Sequence, residues 1–233
     1  MVKIKDNQFT FNNISSLDFH ILLSGYGTYA VPAKDVSMIT IPGRSGDLTL
    51  DNNRFNNVDI TYKALIYDNL NDNYKAFTGA MMSQTGYKRL EDTFHPEEYR
   101  LAVFKEAIEP KLHGYEAAGF EITFNCKPQR FLKSGEEILE VTTSGVVFNP
   151  TNFESRPLFR AYGNGTLTIN NRVLTITGIS DYIDIDTDMM NAFKGSTNMN
   201  SYISGDFPLL DPGENEITFT GTKIEIEPRW YIL

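Results

Sequence analysis

Phe120-Glu121-Ile122-Thr123-Phe124-Asn125-Cys126-Lys127-Pro128-Gln129-Arg130 decides the fold class. Apolar Phe120, Ile122, Phe124 and Cys126 alternate with Glu121, Thr123, Asn125 and Lys127. A period of two sends successive side chains to opposite faces of a sheet, so the first set is a buried face and the second faces water. Cys126 therefore reads as an inert core thiol, with nothing nearby in sequence to lower its pKa. Pro128 cannot donate to a ladder, and the strand is expected to end there. The charge balance shifts at the same point. Residues 1–130 carry 14 Lys+Arg against 16 Asp+Glu, and residues 131–233 carry 7 against 14. Two domains follow, 1–130 and 131–233, both of ordinary size.

Outward from that strand the chain continues mainly β. Phe9–Phe11, Ile21–Leu23, Val36–Ile41 and Val58–Tyr62 are β-branched or aromatic runs bounded by Gly, Pro, Asn and Asp. One segment differs: Leu70, Tyr74, Phe77 and Met81 fall at i, i+4, i+7 and i+11, the core stripe of an amphipathic helix. Asp68, Asn69 and Asn71 are its candidate caps, and Gly86 lies beyond it. In the second part, Leu167–Ile169 and Val173–Ile176 flank Asn170-Asn171-Arg172 as a hairpin, and Gly163-Asn164-Gly165 turns after Phe159–Tyr162. Ile183 and Ile185 alternate with Asp184, Asp186 and Asp188, which places three aspartates on a solvent face. Residues 191–206 read as a polar loop. Short strands at this spacing predict a β-sandwich.

Composition excludes several functions. The 233 residues carry a formal charge of −9, without the basic footprint that gripping nucleic acid requires. One cysteine rules out an intrachain disulfide framework and Cys-rich zinc sites. Residues 1–6 are not followed by an apolar core of signal-peptide length, and no run reaches the roughly 20 apolar residues of a membrane helix, so a soluble product of a reducing cytosol is expected. His20, His95 and His113 lack metal-ligand spacing and read as surface or capping imidazoles. Asp184-x-Asp186-x-Asp188 opens like a calcium loop but has Met189 and Gly195 where that loop needs Gly and Glu. No phosphate loop, dinucleotide fingerprint or nucleophile elbow is present, and no pair of carboxylates is singled out for glycoside hydrolysis. Neither catalysis nor a cofactor nor a metal is expected.

A set of motifs, in order over nearly the whole chain, resembles the distal tail protein (Dit) family of long, flexible, non-contractile-tailed bacteriophages. Its parts are Phe11-Asn12-Asn13-Ile14-Ser15-Ser16-Leu17-Asp18-Phe19, Ile41-Pro42-Gly43-Arg44-Ser45-Gly46-Asp47-Leu48, Lys88–Asp92 with Glu98–Ala102, and Phe124–Leu132. Further on come Pro157, Tyr162–Gly165, Ile183–Asp186, Phe207-Pro208, Pro212–Asn215 and Pro228-Arg229-Trp230. Asn12-Asn13 stands where the family has Asn-Gly, a change that Asn's tolerance of αL accommodates. The resemblance implies an N-terminal tail-tube-like β-sandwich or barrel domain with one α-helix, forming a homo-hexameric ring, and a C-terminal galectin-like β-sandwich. It implies a virion structural protein at the distal end of the tail, assembled in the host cytoplasm. The implied partners are the major tail protein, the tail-associated hub or lysin protein, the tape-measure protein and receptor-binding proteins. DNA would pass through a central channel without sequence-specific contact, and an acidic wall would avoid gripping its phosphates.

Two sets of residues are candidate sites. The polar stretch 43–57 is longer than a turn needs and is expected to reach a neighbouring subunit, with Gly43, Arg44, Gly46, Asp47, Arg54 and Phe55 at the contact and the two arginines as anchors. The alternative function is a carbohydrate-binding, lectin-like module, for which Tyr182, Tyr202, Phe207 and Trp230 could stack on sugar faces.

Overall fold

The computed structural model describes residues 7–25, 27 and 29–233; the reading made for residues 1–6 lies outside them. The chain divides into two compact units, residues 1–130 with Leu233 and residues 131–232.

The first unit contains β1 (Phe9–Phe11), β2 (Ile14–Ser15), β3 (Ile21–Ser24), β4 (Lys34–Ile39), β5 (Leu48–Phe55), β6 (Val58–Ile66), α1 (Leu70–Met82), β7 (Lys88–Asp92), β8 (Glu98–Phe104), β9 (Lys111–His113) and β10 (Ala117–Leu132). Its main sheet runs β2-β1-β7-β8-β10-β6-β3, with β9 also on β10, while β4 and β5 form a sheet of their own. Four strand spacings separate β1 from β6, about 19 Å in a flat sheet. Phe9 on β1 nevertheless stacks on Tyr62 of β6 with ring centroids 5.9 Å apart, so the sheet curls onto itself. Leu23 N–H donates to Asn7 O at 2.8 Å, which ties the β3 edge to the start of β1. A barrel-like body results.

Its core follows from the alternation. Phe120, Ile122, Phe124 and Cys126 are buried, as are Val58, Ile60, Tyr62, Ala64 and Ile66 on the paired strand. Each fully buried Phe contributes about 1.5–3 kcal/mol. Phe77 and Met81 of α1 are fully buried on this core, with Leu70 and Tyr74 at its margin. Burial pushes the Cys126 thiol up to about 12. Asn12 and Asn13 both adopt the left-handed region, φ 49° and 65°, as the two-residue loop between β1 and β2 requires.

Two local expectations are corrected. Strand β10 runs past Pro128 to Leu132. Its ladder with β6 ends at the pair Cys126 and Val58, so the missing proline donor falls outside that ladder. Asn69 precedes α1 but makes no capping bond; its amide donates to Asp72 Oδ2 at 3.2 Å, and Asn73 donates to Asp68 O at 2.8 Å.

The second unit contains β11 (Leu139–Val141), β12 (Ser144–Asn149), β13 (Leu158–Tyr162), β14 (Gly165–Ile169), β15 (Arg172–Ile176), β16 (Tyr182–Asp186), β17 (Asn191–Lys194), β18 (Thr197–Asn198), β19 (Ile203–Gly205), β20 (Gly213–Phe219), β21 (Lys223–Glu227) and β22 (Tyr231–Ile232). One sheet runs β11-β21-β13-β16-β17-β18 and the other β12-β20-β14-β15-β19. Phe159, Ile183, Ile185, Ile224 and Ile226 from the first share one core with Leu167, Ile169, Leu174, Ile176, Ile217 and Phe219 from the second. This is a β-sandwich; the hairpin read from sequence between residues 167–169 and 173–176 is present, with Arg172 already in β15 and Asn170-Asn171 as its loop.

Here too the sequence reading needs correction. Residues 191–206 are not a plain loop: β17, β18 and β19 lie there, and Asn200 Oδ1 accepts from Ala192 N–H at 2.6 Å to hold the turn. Asp184 and Asp186 do face away from the apolar core, yet both are buried. Arginines cover them: Arg160 forks onto Asp184 at 2.7 and 3.0 Å, and Arg229 binds Asp186 at 3.1 Å. Asp188 remains exposed, with Arg156 at 3.4 Å. The alternation was right about direction; the long cationic side chains on neighbouring segments removed the solvent.

Candidate assembly surface

The β4–β5 hairpin pairs Ser37 with Leu50, Met38 with Thr49 and Ile39 with Leu48, and stands outside the main sheet. Its tip is set by Pro42-Gly43. Arg44 N–H donates to Ile41 O at 3.1 Å and Gly43 has φ 79°, the proline-then-glycine pattern of a type II turn. Thr40 Oγ1 donates to Asp47 Oδ1 at 2.9 Å across the base of this tip. At the other end Arg54 binds Asp35 at 3.0 Å, Asn52 donates to the same carboxylate, and Lys34 pairs with Asp51. The Lys34 ammonium holds the Asp51 carboxyl below its usual range.

Between these polar ends the hairpin is apolar and open to solvent. Ile39, Leu48 and Leu50 share one face by the register, and Val36 and Met38 the other. Leu50 is 54% exposed and Met38 61%. An isolated two-stranded hairpin is marginal in water, and this one covers neither face itself.

The structure thus redistributes the residues expected at a subunit contact. Gly43 and Gly46, both with positive φ, shape the turn. Asp47 and Arg54 are engaged within the hairpin, Arg44 is exposed at its tip, and Phe55 is half-buried at its foot opposite Lys34. The polar stretch 43–57 is not all loop, since β5 fills most of it. What sequence reasoning missed is the apolar set Met38, Ile39, Leu48 and Leu50. Its signal was present, as Leu48-Thr49-Leu50 alternates directly after the turn, opposite Met38-Ile39.

The four rings proposed for a sugar platform are not assembled into one. Trp230 is buried, and Phe207 packs against the core. Tyr182 lies on the β16 sheet with the Arg160 guanidinium 4.7 Å and the Lys194 ammonium 4.4 Å from its centroid, while Tyr202 belongs to the segment entering β19. Among the described residues no ring contact joins any two of the four. Around Tyr162, which contacts Tyr182, the charges satisfy one another. Lys223 bonds Glu225 and Glu140 at 2.8 and 2.9 Å, which raises its pKa and lowers that of Glu225.

In the first unit, Tyr62 OH donates to Asp92 Oδ2 at 2.7 Å and His95 Nδ1 lies 3.2 Å from Asp92 Oδ1. Burial, reinforced by Asp92, pushes the Tyr62 phenol well above its usual range. His95 is therefore largely enclosed and bonded to a carboxylate, not a surface imidazole. The cavity that these residues line with Glu98 and Arg100 measures about 10 Å³, room for one water and none for a substrate.

No protein-family model and no curated protein matches the chain. Among solved structures, it is similar to the crystal structure of SPP1 Dit (gp 19.1), described as a paradigm of the hub adsorption apparatus in phages infecting Gram-positive hosts. The TM-score is 0.79 at 12% identity, over 98% of this chain and all of that one. The two share a fold.

Proposed function

We propose that this chain is a structural component of a bacteriophage tail tip, closing head-to-tail into a hexameric ring that joins the tail tube to the adsorption apparatus. The observation that carries the reading is the β4–β5 hairpin: a projecting element, apolar on both faces, whose cover is the adjacent copy of the chain. A cyclic ring needs such a heterologous contact, in which one patch meets a different patch on the next copy. The fold shared with SPP1 Dit supports the same assignment. In this reading the first unit forms the ring around a channel for DNA. The second, a galectin-like sandwich, offers its surface to receptor-binding proteins. The tube protein, the hub or lysin protein and the tape-measure protein are the axial neighbours, and the distal end of the virion tail is the location.

Light scattering and negative-stain imaging of the purified chain test it. The expected particle is a six-fold ring of about 158 kDa, six times the 26.4 kDa chain. Leu48→Asp with Leu50→Asp abolishes that ring and leaves a folded monomer. A ring unaffected by the double substitution overturns the role of the hairpin, and virions without this chain at the tail end overturn the function.

A further inference from the structure

Four strands border the two sheets of the second unit, and three of them are guarded against pairing. Strand β11 is three residues long and carries Glu140, β18 has two residues, and β19 has three and ends at Gly205. Short or charged edges discourage added strands. The fourth, β12, is unlike them: Ser144-Gly145-Val146-Val147-Phe148-Asn149 is six residues without a charge or a proline.

Its backbone is open on the free side. Phe219 N–H donates to Thr143 O at 2.8 Å, which makes Thr143 and Phe219 a hydrogen-bonded pair. By alternation in the same register, residues 145, 147 and 149 bond towards β20, while Ser144, Val146 and Phe148 present N–H and C=O to the empty edge. The side chains of these same residues lie on the outer face, where Val146 and Phe148 are each 62% exposed. Directly across on β20 stand Glu216, opposite Val146, and Glu214, opposite Phe148. Both are exposed, and neither carboxylate forms an ion pair among the described residues.

We propose that β12 is a docking edge for an extended segment of a second, different polypeptide, apolar with lysine or arginine at alternate positions. Backbone bonds to Ser144, Val146 and Phe148 extend the five-stranded sheet, which is β-strand addition. By alternation the partner's cations all stand on the outer face, where their methylene stems lie over Val146 and Phe148 and their charged ends reach Glu214 and Glu216, while its apolar side chains turn to the inner face beside Val147. Charge weighs against a second copy of β12 as the occupant, because self-pairing would bring two acidic units together, residues 131–233 carrying 7 Lys+Arg against 14 Asp+Glu.

Fluorescence anisotropy with the full chain tests this, using a labelled Lys-Val-Lys-Phe-Lys-Val-Lys-Val peptide and a counterpart with Glu for every Lys. The lysine peptide is expected to bind saturably, at least tenfold tighter than the glutamate peptide. Glu214→Lys with Glu216→Lys, which reverses the charge that the lysines meet, is expected to weaken it at least tenfold. Because that variant could perturb the sheet, amide exchange of the unsubstituted chain is the second readout. The lysine peptide should slow exchange at Ser144, Val146 and Phe148 and leave Gly145 and Val147 unchanged. Equal binding of both peptides, protection elsewhere, or no binding overturns the proposal. Concentration-dependent protection of the same amides without peptide overturns the choice of occupant. Ring assembly through β4–β5 is read separately by mass, so either idea can fail alone.

Discussion

Arg229 places Nη1 3.1 Å from both carboxylate oxygens of Asp186, and Nη2 reaches Oδ2 at the same distance, with both side chains largely withdrawn from water. Burial pulls the Arg229 pKa down, but the bond to Asp186 outweighs it and the net shift is upward. Asp186 also accepts from Asp188 N–H and Met189 N–H at 3.0 and 3.1 Å, so the pair fixes the turn that leaves β16. Removing one partner of such a pair leaves a buried charge uncompensated. Arg229→Leu is expected to cost about 3 kcal/mol in urea denaturation. Adding Asp186→Asn, which removes the orphaned charge and keeps the acceptor, should restore a large part of it.

The Cys126 thiol supplies a pH signature. An unfolded thiol ionises near 9 and the folded one near 12, so the unfolded chain loses its proton first. The stabilisation is complete below pH 9 and is lost as pH rises towards 12, and Tyr62, raised by burial and Asp92, acts in the same direction. The melting temperature should fall between pH 8 and pH 10.5, and by less in Cys126→Ala. At pH 8 the thiol should be unreactive towards a disulfide reagent until urea unfolds the chain.

At the foot of the hairpin, Asp35 gathers Arg54 and Asn52. An exposed ion pair of this kind is worth about 0.5 kcal/mol, so Asp35→Ala should leave the melting temperature nearly unchanged. The same variant should lower the fraction of ring seen by light scattering, since the hairpin loses the tie that aligns its strands.

Gly205 closes β19 with φ 108°, and a Cβ placed there would lie 2.2 Å from Val173 O. Backbone cannot yield as a side-chain tip does. Gly205→Ala should destabilise the second unit by about 2 kcal/mol or more, visible as earlier urea unfolding.

The legible parts of the fold were those where one local pattern decides the outcome. Alternation along 120–126 and the stripe from Leu70 to Met81 both set burial, because each residue's direction is fixed by its own strand or helix. The sequence reading failed where a distant side chain altered the surroundings. Nothing near Asp184 in sequence announces Arg160, and nothing near Asp186 announces Arg229. At Pro128 the error had another source: a proline ends a ladder only on the side where its donor is needed. At the candidate surface the turn Pro42-Gly43 was legible, but the exposure of Leu48 and Leu50 was not. Alternating leucines read as half-buried wherever the opposite sheet is assumed to belong to the same chain.

The contact of Phe9 with Phe124, ring centroids 5.2 Å apart across more than a hundred residues, bears on how the molecule comes into being. During synthesis the first strand can meet β3, β6 and β7, but the sheet stays broken between β8 and β6 until β10, which stands between them, has left the ribosome. Until then the barrel is an open sheet with its phenylalanines unshielded. Folding of this unit should be slow for its size, as loop-closure entropy is spent before the distant contact repays it. The newborn chain, more than the finished one, is where chaperones and misassembly compete.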